Sequence, residues 1–251
     1  MQSVVTARGL DFWYGTFHAL KNVSFDIEEK RVTALIGPSG CGKSTLLRVF
    51  NRMCDQVPGS RLAGSLRVLD RELAEPDCDV TGLRRDVGMV FQHPNPFPMS
   101  IFENLAFGLR LAGIHDRTAL ERGVEESLTA VGLWNDLKDR LDASAVALSA
   151  DYQQRLCIAR AVVIRPKILL MDEPCSSLDP VATQHVEELI VQLKREYTII
   201  IVTHSMQQAA RISDQTGYML LGELIEFDAT PTIFRQPRDK RTEDYISGKF
   251  G

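Results

Sequence analysis

The glycine-rich stretch Gly37–Thr45 has the residue types and spacing of a loop that holds phosphate groups. Its glycines allow successive backbone NH groups to turn inward around a phosphate chain, and Lys43 adds a mobile positive charge for the β- and γ-phosphates. Ser44 offers a hydroxyl group to Mg²⁺. We therefore predict that a purine nucleotide with Mg²⁺ is bound by the residues Gly37, Pro38, Ser39, Gly40, Cys41, Gly42, Lys43, Ser44 and Thr45.

The segments on either side of this loop are those that a phosphate-binding loop requires. Val32–Ile36 is a short, apolar, β-branched run that predicts a buried strand. After the loop, Leu46, Phe50 and Met53 recur with helical spacing, which predicts a helix with a buried face. The N-terminus of that helix adds a partial positive charge beside the phosphates. Strand, loop and helix together argue against the alternative, a glycine turn with a solvated lysine.

Two carboxylates follow a second predicted strand. Ile168–Met171 is an apolar run typical of a buried strand, and Asp172 and Glu173 come directly after it. In a protein with a phosphate-binding loop, this end of the strand is where the metal and the attacking water are needed. We predict that Asp172 holds Mg²⁺ through water, whereas Glu173 orients and deprotonates a water molecule aimed at the γ-phosphate.

A histidine and a tyrosine complete the candidate site. The strand predicted at Thr198–Val202 brings His204 to the same sheet edge as the two carboxylates, where it is placed to contact the γ-phosphate. A lone histidine is more often structural, so that alternative stays open. Tyr14 precedes a glycine that opens space, which favours stacking of its ring on an adenine. For Phe12 and Trp13, core packing is an equal alternative.

Length and composition favour one α/β domain. The 251 residues suffice for one large domain with an inserted subdomain, and the mixed charges with a net charge of −4 favour neither nucleic acid nor an acidic membrane surface. The five cysteines contain no CxxC pair, which favours reduced cytosolic thiols over a metal site. No signal-peptide-like core begins the sequence, and no apolar run reaches the roughly 18 residues of a membrane span. Membrane association is therefore expected to require other subunits.

The order of the predicted elements indicates an α/β core with a helical insertion. Val4–Ile27 predicts a small antiparallel sheet, and Ser65–Leu69 predicts a further strand. Val87–Phe91 is strand-like and precedes Gln92, after which three prolines exclude regular structure over several residues. From Pro94 to Ile164 the chain is predicted to be mostly helical.

Local signals mark the helix boundaries in this insertion. Ser100 and Glu103 have the spacing of a capping box before an apolar run through Leu111. Asp116 predicts the start of the next helix and Gly132 its end. We predict a single domain over 1–251, in which 1–93 and 165–251 form the nucleotide-binding α/β core with its N-terminal β subdomain, and 94–164 form a helical subdomain.

With these residues placed, the chain resembles the ATP-binding subunits of ABC transporters. The resemblance rests on Walker A at Gly37–Thr45, the Q-loop at Gln92, Walker B at Ile168–Asp172 followed by Glu173, the D-loop at Ser177–Asp179 and the switch histidine at His204. It implies a P-loop NTPase core of the ABC ATPase type that hydrolyses ATP with Mg²⁺. It further implies that Asp179 contacts the nucleotide, and that Gln92 contacts both the nucleotide and the metal, which Ser44 and Asp172 also hold.

Within that superfamily the chain resembles the ATP-binding subunits of phosphate importers. The residues that carry this closer match are Asn51–Met53, Val87–Pro98, Arg155–Arg160, Asp172–Cys175, Thr242–Ile246, Gly248, Phe250 and Gly251. The resemblance makes inorganic phosphate the expected solute, although no residue of the ATP site specifies that choice.

The same resemblance implies partners. Two copies are expected to pair head to tail as a homodimer, so that ATP on one Walker A is capped by the signature helix of the other copy, with Ser149 acting in trans. Two integral membrane permease subunits and a periplasmic or extracellular phosphate-binding protein would complete the complex. The chain would then lie at the cytoplasmic face of the membrane, with no nucleic acid partner. Dimer closure on ATP would switch the permeases between two states.

The chain departs from the family at the signature, where Leu148–Tyr152 has the sequence LSADY in place of LSGGQ. A carboxylate at Asp151 favours the start of a helix. At the partner's γ-phosphate it would instead repel, by roughly 4 kcal/mol for unit charges about 4 Å apart at an effective dielectric near 20. We therefore expect normal ATP binding but impaired dimer closure and hydrolysis. The alternatives are an active variant, an ATP-binding regulatory or assembly subunit, and a soluble ABC ATPase that acts on nucleic acid or ribosomes.

Overall fold

The computed structural model describes residues 2–75 and 77–249. Met1, Pro76, Phe250 and Gly251 lie outside the described residues, so the last two residues of the tail that resembles phosphate importers do too. The strands are β1 (Ser3–Tyr14), β2 (Phe17–Glu28), β3 (Val32–Ile36), β4 (Ser60–Val68), β5 (Arg71–Glu72), β6 (Val87–Val90), β7 (Ile168–Asp172), β8 (Thr198–Val202), β9 (Gln215–Leu220) and β10 (Glu223–Ala229).

Ten α-helices occur within residues 2–75 and 77–249. The α-helices are α1 (Lys43–Val49), α2 (Val80–Asp86), α3 (Ile101–Leu111), α4 (Arg117–Ala130), α5 (Trp134–Leu137), α6 (Ala150–Val162), α7 (Pro180–Leu193), α8 (Met206–Ile212), α9 (Thr230–Arg235) and α10 (Lys240–Ile246). Short 3₁₀ turns occur at Met53–Gln56, Lys138–Arg140 and Ala145–Ala147. Within residues 2–75 and 77–249, no helix has both the length and the apolar character that crossing a bilayer demands.

Two sheets form the α/β core. The larger has the strand order β10-β9-β3-β8-β7-β6, parallel throughout except for β10, which runs antiparallel to β9. Every residue of β3, β7 and β8 is buried, as expected for central parallel strands covered on both faces. The smaller sheet is antiparallel with the order β2-β1-β4-β5, which confirms the N-terminal sheet predicted from the sequence.

Two apolar clusters lie on opposite faces of the parallel sheet. One packs the sheet against α3, α4, α6 and α7, and the other packs it against α1 and the antiparallel sheet. Leu46 and Phe50 are fully buried in the second cluster, as the helical spacing predicted. The same pattern was wrong for Met53, which lies in the following 3₁₀ turn because Arg52 adopts a left-handed conformation with φ 56° and ends the helical path.

The helical insertion is present, with one correction to its boundary signals. The Ser100 hydroxyl accepts a hydrogen bond from the Glu103 amide at 3.1 Å and so caps α3 as predicted. The reciprocal half of the capping box is absent, because the Glu103 carboxylate pairs with Arg110 two turns along the helix. Asp116 caps α4 through the Ala119 amide at 2.9 Å.

Two predicted strands differ from the observed ones at their ends. β4 begins at Ser60 and ends at Val68, whereas the sequence predicted Ser65–Leu69. β4 pairs with β1 from Tyr14 opposite Ser60 to Val5 opposite Val68, and this long pairing extends the strand beyond its predicted start. β6 ends at Val90, one residue before the predicted end, and the prolines after it lie in irregular backbone as expected.

Candidate nucleotide-binding site

The P-loop, Gly37–Thr45, connects the end of β3 to α1 and is shaped by close backbone contacts. Gly37 has φ 147°, and a Cβ at this position would lie 2.2 Å from the Met219 carbonyl oxygen. Gly42 has φ 109°, and its Cβ would lie 3.1 Å from the Ala19 carbonyl oxygen. Only glycine fits both positions without displacing neighbouring backbone, so the loop can turn its NH groups toward a bound anion.

Lys43 is the buried cation of this loop, with a relative exposure of 4%. Its Nζ atom donates to the carbonyl oxygens of Gly37 at 2.8 Å and Pro38 at 2.9 Å, and lies 3.8 Å from the Cys41 sulfur. Both carbonyl acceptors are neutral. Within residues 2–75 and 77–249, the Lys43 ammonium also forms no ion pair with a carboxylate. Such a charge is available to phosphate oxygens, which is the role predicted for Lys43.

Ser44 and Asp172 are brought together as predicted. The Ser44 hydroxyl donates to Oδ1 of Asp172 at 2.7 Å, which joins the start of α1 to the end of β7. Two oxygen atoms at this spacing can both serve as ligands of Mg²⁺, which prefers hard oxygen ligands. Arg48, which the sequence analysis missed, lies 3.5 Å from the other carboxylate oxygen of Asp172. Its position four residues after Ser44 places it on the same helix face, and that spacing was the available signal.

Glu173, His204 and Gln92 form one polar cluster at the ends of three adjacent strands. Oε1 of Glu173 lies 2.5 Å from Nε2 of His204, and Oε2 accepts a hydrogen bond from Nε2 of Gln92 at 3.1 Å. The Glu173 side chain is 12% exposed and that of His204 is 43% exposed. The predicted catalytic pair is therefore in contact, and Gln92 reaches the glutamate directly through its amide nitrogen.

A cavity of about 180 Å³ lies between the P-loop and the pair Glu173 and His204. Its lining residues are Phe17, Ala19, Ser39, Gly40, Gly42, Lys43, Ser44, Thr45, Glu173 and His204. The cavity thus brings the phosphate cradle and the predicted catalytic pair to one place. Among the described residues that line it, Phe17 has an exposed ring and was missed by the sequence analysis.

Tyr14 does not line this cavity. It ends β1 and pairs across the hairpin with Phe17, while its ring packs edge-on against Phe12 with centroids 4.9 Å apart. Phe12 is buried at 1% exposure, as core packing predicted, and Trp13 instead stacks on His18 with centroids 4.4 Å apart. The two-residue turn after Tyr14 was the signal that a second aromatic ring would lie beside it.

Asp179 occupies a capping position at the start of α7. Its Oδ1 atom accepts a hydrogen bond from the Ala182 amide at 2.9 Å. Nearby, the Ser177 hydroxyl lies 3.3 Å from Nδ1 of His93, which directly follows Gln92 in the sequence. The segment after Glu173 is thereby joined to the segment after β6, a contact that local sequence patterns do not reveal.

The protein-family model described as ABC transporter matches residues 20–176 of this chain. The chain belongs to the ABC transporter family. As an ABC ATPase, it binds ATP together with Mg²⁺. The family and the fold class inferred from the sequence are confirmed.

Curated relatives from Bacteroides share one description. The phosphate import ATP-binding protein PstB of Bacteroides thetaiotaomicron is 56% identical over 247 residues, which cover 98% of this chain and 98% of the relative. The phosphate import ATP-binding protein PstB of Bacteroides fragilis strain ATCC 25285 is 55% identical over 247 residues with the same coverage.

Solved structures of ABC ATPases have the same fold. The cbiO1 protein of Clostridium perfringens, part of the ABC transporter complex cbiONQ, superimposes with a TM-score of 0.82 at 25% identity, covering 99% of this chain and 97% of that one. The ATP-binding cassette MJ0796, a dimer in a post-hydrolysis state bound to ADP and Pi, gives a TM-score of 0.77 at 26% identity, covering 90% and 98%.

The ABC signature region begins α6, and its unusual side chains bind within the same subunit. Ser149 is the exposed N-cap residue of α6, and its hydroxyl makes no capping hydrogen bond. The Asp151 carboxylate accepts from Arg155, one turn further along the helix, at 2.6 and 3.2 Å. The Tyr152 hydroxyl donates to Asp136 at 2.9 Å. The side chains of Asp151 and Arg155 are 18% and 12% exposed, so the ion pair is well shielded from water.

This pairing changes the electrostatic argument made from the sequence. The expected repulsion was worked out for a unit negative charge at Asp151, whereas Arg155 pairs with this carboxylate one turn further along α6. The Cβ atoms of Ala150 and Asp151 remain where the family has glycine. These side chains would therefore still obstruct close approach of the partner's nucleotide, whereas the charge of Asp151 would repel it less.

Proposed function

We propose that this chain is the ATP-hydrolysing subunit of an ABC importer for inorganic phosphate. The observation that carries the hydrolytic role is the placement of Glu173, in contact with His204 and Gln92, on the cavity that the P-loop also lines. The choice of solute is supported by the relatives that are 55–56% identical over 98% of the chain and are described as phosphate import ATP-binding proteins.

We assign ATP binding chiefly to the P-loop. The loop amides and Lys43 would hold the β- and γ-phosphates, and the adenine would stack on Tyr14, with Phe17 beside it at the end of the hairpin. Ser44, Asp172 and Gln92 would hold Mg²⁺, which supplies positive charge to the phosphate oxygens. The 2.7 Å contact between the Ser44 hydroxyl and Asp172 supports this assignment.

Glu173 is assigned as the general base. A carboxylate at this position would take a proton from a water molecule as the oxygen of that water attacks the γ-phosphorus atom. His204 holds one oxygen of Glu173 and Gln92 holds the other, so both neighbours restrict the rotation of the carboxylate. His204 is also 43% exposed toward the cavity and would contact the γ-phosphate.

The complete site is proposed to form between two copies of the chain. In a head-to-tail homodimer, Ser149 and the first amides of α6 would contact the γ-phosphate held by the partner's P-loop, and Asp179 would lie near the shared nucleotide. The free Ser149 hydroxyl supports this role. We further propose that the dimer binds two integral membrane permease subunits at the cytoplasmic face of the membrane, with a periplasmic or extracellular phosphate-binding protein delivering the solute and no nucleic acid partner.

A second candidate function follows from the altered signature. If the Cβ atoms at Ala150 and Asp151 block close approach of the partner's nucleotide, the chain would bind ATP but hydrolyse it poorly, and would serve in regulation or assembly. The Asp151–Arg155 pair favours turnover, whereas the added side-chain bulk favours this alternative.

Hydrolysis assays on three forms of the protein separate these functions. Mg²⁺-ATP hydrolysis and nucleotide binding would be measured with the permease subunits present, for the natural chain, for Glu173→Gln and for the triple variant Ala150→Gly, Asp151→Gly, Tyr152→Gln. We expect hydrolysis by the natural chain and its loss in Glu173→Gln. Hydrolysis by the triple variant alone would establish the second function. Uptake of labelled phosphate, with sulfate as the control solute, tests the transported ion.

A further inference from the structure

His204 lies in the short turn between β8 and α8, beyond the end of the strand. The residues just before this turn still belong to the hydrogen-bond ladder of the sheet. The Glu173 amide donates to the Val202 carbonyl at 2.9 Å, and this bond continues the pairing of β7 with β8. The Thr203 amide donates to the Leu35 carbonyl of β3 at 3.2 Å. The sheet therefore fixes the backbone of Glu173 and of Thr203, whereas the place of His204 depends on the turn.

The Thr203 hydroxyl closes this turn across His204. Its Oγ1 atom accepts a hydrogen bond from the Ser205 amide at 3.0 Å, so the two sequence neighbours of His204 are joined directly. Thr203 is β-branched and only 4% exposed, which leaves its hydroxyl little freedom to rotate away from this amide. The backbone is therefore restrained on both sides of the histidine.

The far side of the turn is anchored by α8. The Ser205 hydroxyl accepts from the Gln208 amide at 3.1 Å and caps the helix. The Gln208 side chain donates to Oε1 of Glu187 in α7 at 3.3 Å, and the Glu187 carboxylate also accepts from Arg211 at 2.7 and 2.9 Å. Glu187 and Gln208 are both buried, so this network ties α8 firmly to α7. The Thr203 hydroxyl thus binds an amide whose own position is fixed.

The His204 side chain is restrained much less than its backbone. It is 43% exposed, and it reaches the Glu173 carboxylate through one atom, Nε2, which lies 2.5 Å from Oε1. A contact through a single atom tolerates little displacement, because hydrogen bonds weaken steeply when their distance and angle depart from the normal range. The backbone of His204 must therefore be placed accurately for this contact to form.

We propose that Thr203 is a positioning residue of the hydrolysis site. By binding the Ser205 amide, its hydroxyl fixes the turn that carries His204 and so keeps Nε2 of the histidine on the Glu173 carboxylate. This inference rests on the proposed role of Glu173 as the general base. Thr203 does not line the nucleotide cavity, so it acts on the reaction only through its neighbours.

Two substitutions test the hydroxyl. Thr203→Val has a similar shape but cannot accept a hydrogen bond from the Ser205 amide, whereas Thr203→Ser keeps the hydroxyl. ATP hydrolysis would be measured at saturating MgATP with the permease subunits present. We expect kcat to fall about tenfold in Thr203→Val and to stay within about twofold of the natural chain in Thr203→Ser. The Kd for MgATP should be unchanged in both variants, because the contacts of the P-loop are left intact.

The matched control lies at the other end of the same strand. Thr198 is 1% exposed, and its Oγ1 atom accepts from the Lys30 amide at 3.0 Å, which is the same kind of bond at a similar depth. Thr198→Val should therefore lower the urea midpoint of unfolding about as much as Thr203→Val, but leave kcat unchanged. Equal losses of kcat in the two valine variants would show that only stability matters and would overturn the proposal.

A double-mutant cycle with His204→Ala tests whether the effect passes through the histidine. If Thr203 acts by placing His204, Thr203→Val should cause no further loss of kcat in the His204→Ala chain. A loss in that chain as large as the loss in the natural chain would overturn the proposal. If Thr203→Val does not fold, Thr203→Ala removes the same hydroxyl and is compared with Thr198→Ala.

The ring signals of His204 give a readout that needs no turnover. In NMR spectra of the chain with ¹⁵N-labelled histidines, assigned with the variant His204→Gln, the His204 signal should move in Thr203→Val and stay in place in Thr198→Val and Thr203→Ser. A His204 signal that stays in place in Thr203→Val would overturn the positioning role. If Glu173→Gln hydrolyses ATP as fast as the natural chain, or if neither hydrolyses it, the proposed function fails, and the ring signals still decide whether Thr203 positions His204.

Discussion

Glu173 and His204 are in contact at the carboxyl ends of two neighbouring parallel strands, with 2.5 Å between Oε1 and Nε2. The backbone of Glu173 has φ 48°, a left-handed conformation that glutamate seldom adopts, and its amide donates to the Val202 carbonyl at 2.9 Å. Such backbone strain costs on the order of 1–3 kcal/mol and is found most often at functional sites. The strained turn directs the carboxylate toward the cavity lined by the P-loop.

This geometry makes Glu173→Gln the sharpest test of the general base. The amide keeps the size and one hydrogen-bond acceptor of the carboxylate but cannot take a proton from water. We expect kcat for ATP hydrolysis to fall by at least about 100-fold while the Kd for MgATP changes little. Glu188→Gln, on the exposed face of α7, is the matched control and should hydrolyse ATP normally. Comparable kcat values for the two variants would remove Glu173 from the mechanism.

The signature pair can be tested by a double-mutant cycle. Arg155→Met leaves the Asp151 carboxylate without its partner, so we expect dimer closure on ATP and hydrolysis to fall about tenfold or more. Asp151→Asn in the same chain removes the unpaired charge and should restore most of the activity. Hydrolysis would be measured for both single variants and the double variant at low and high salt. Additive effects of the two substitutions would show that the ion pair has no part in closure.

Lys43→Met separates nucleotide binding from folding. The ammonium has only neutral acceptors in this structure, and its bonds to phosphate oxygens are charge-assisted, so we expect the Kd for MgATP to rise about 10- to 100-fold. Removing a buried charge without a carboxylate partner should leave the free energy of unfolding unchanged or raise it. Isothermal titration and urea unfolding measure the two quantities. Lys138→Met, an exposed lysine of the helical insertion, is the control.

The residues that sequence analysis placed correctly are those whose role depends on local order. A glycine loop between strand and helix, and carboxylates at a strand end, require only neighbouring residues, so Lys43, Asp172 and Glu173 lie where they were expected. The contacts that it missed join residues far apart in the chain. The ion pair between Arg48 and Asp172 and the ring stack between Tyr245 and Tyr218 are two examples. Both contacts depend on which strands pair and which helix covers them.

The corrections have a different cause, which is local to single helices. Glu103 has the spacing of a capping box, yet the chain also offers Arg110 on the same helix face, and ion pairing prevails over the backbone contact. The repulsion expected at Asp151 took no account of Arg155, which is four residues away at a spacing visible in the sequence. Competing partners at helical spacing are the signal that the sequence analysis left unused.

Alkaline pH provides a test of the core beneath the P-loop helix. Burial, with a contribution from the neighbouring Asp55 carboxylate, raises the pKa of Cys54 from its ordinary value of 9.0 to about 12. Between these two pKa values the unfolded chain releases the thiol proton and the folded chain keeps it, so the folded state becomes less favoured as the pH rises. The free energy of unfolding should fall by up to about 1.4 kcal/mol per pH unit above pH 9 from this group.

Cys54→Ala removes this contribution. Urea unfolding at about pH 8 and about pH 10 should show a smaller loss of stability in Cys54→Ala than in the natural chain, although the variant starts from a lower value because of the cavity it leaves. Cys78→Ala retains Cys54 and should follow the natural chain. If Cys54→Ala and the natural chain lose stability in parallel over this range, the Cys54 thiol is not held protonated by its burial, and the packing around the end of α1 is looser than its 3% exposure indicates.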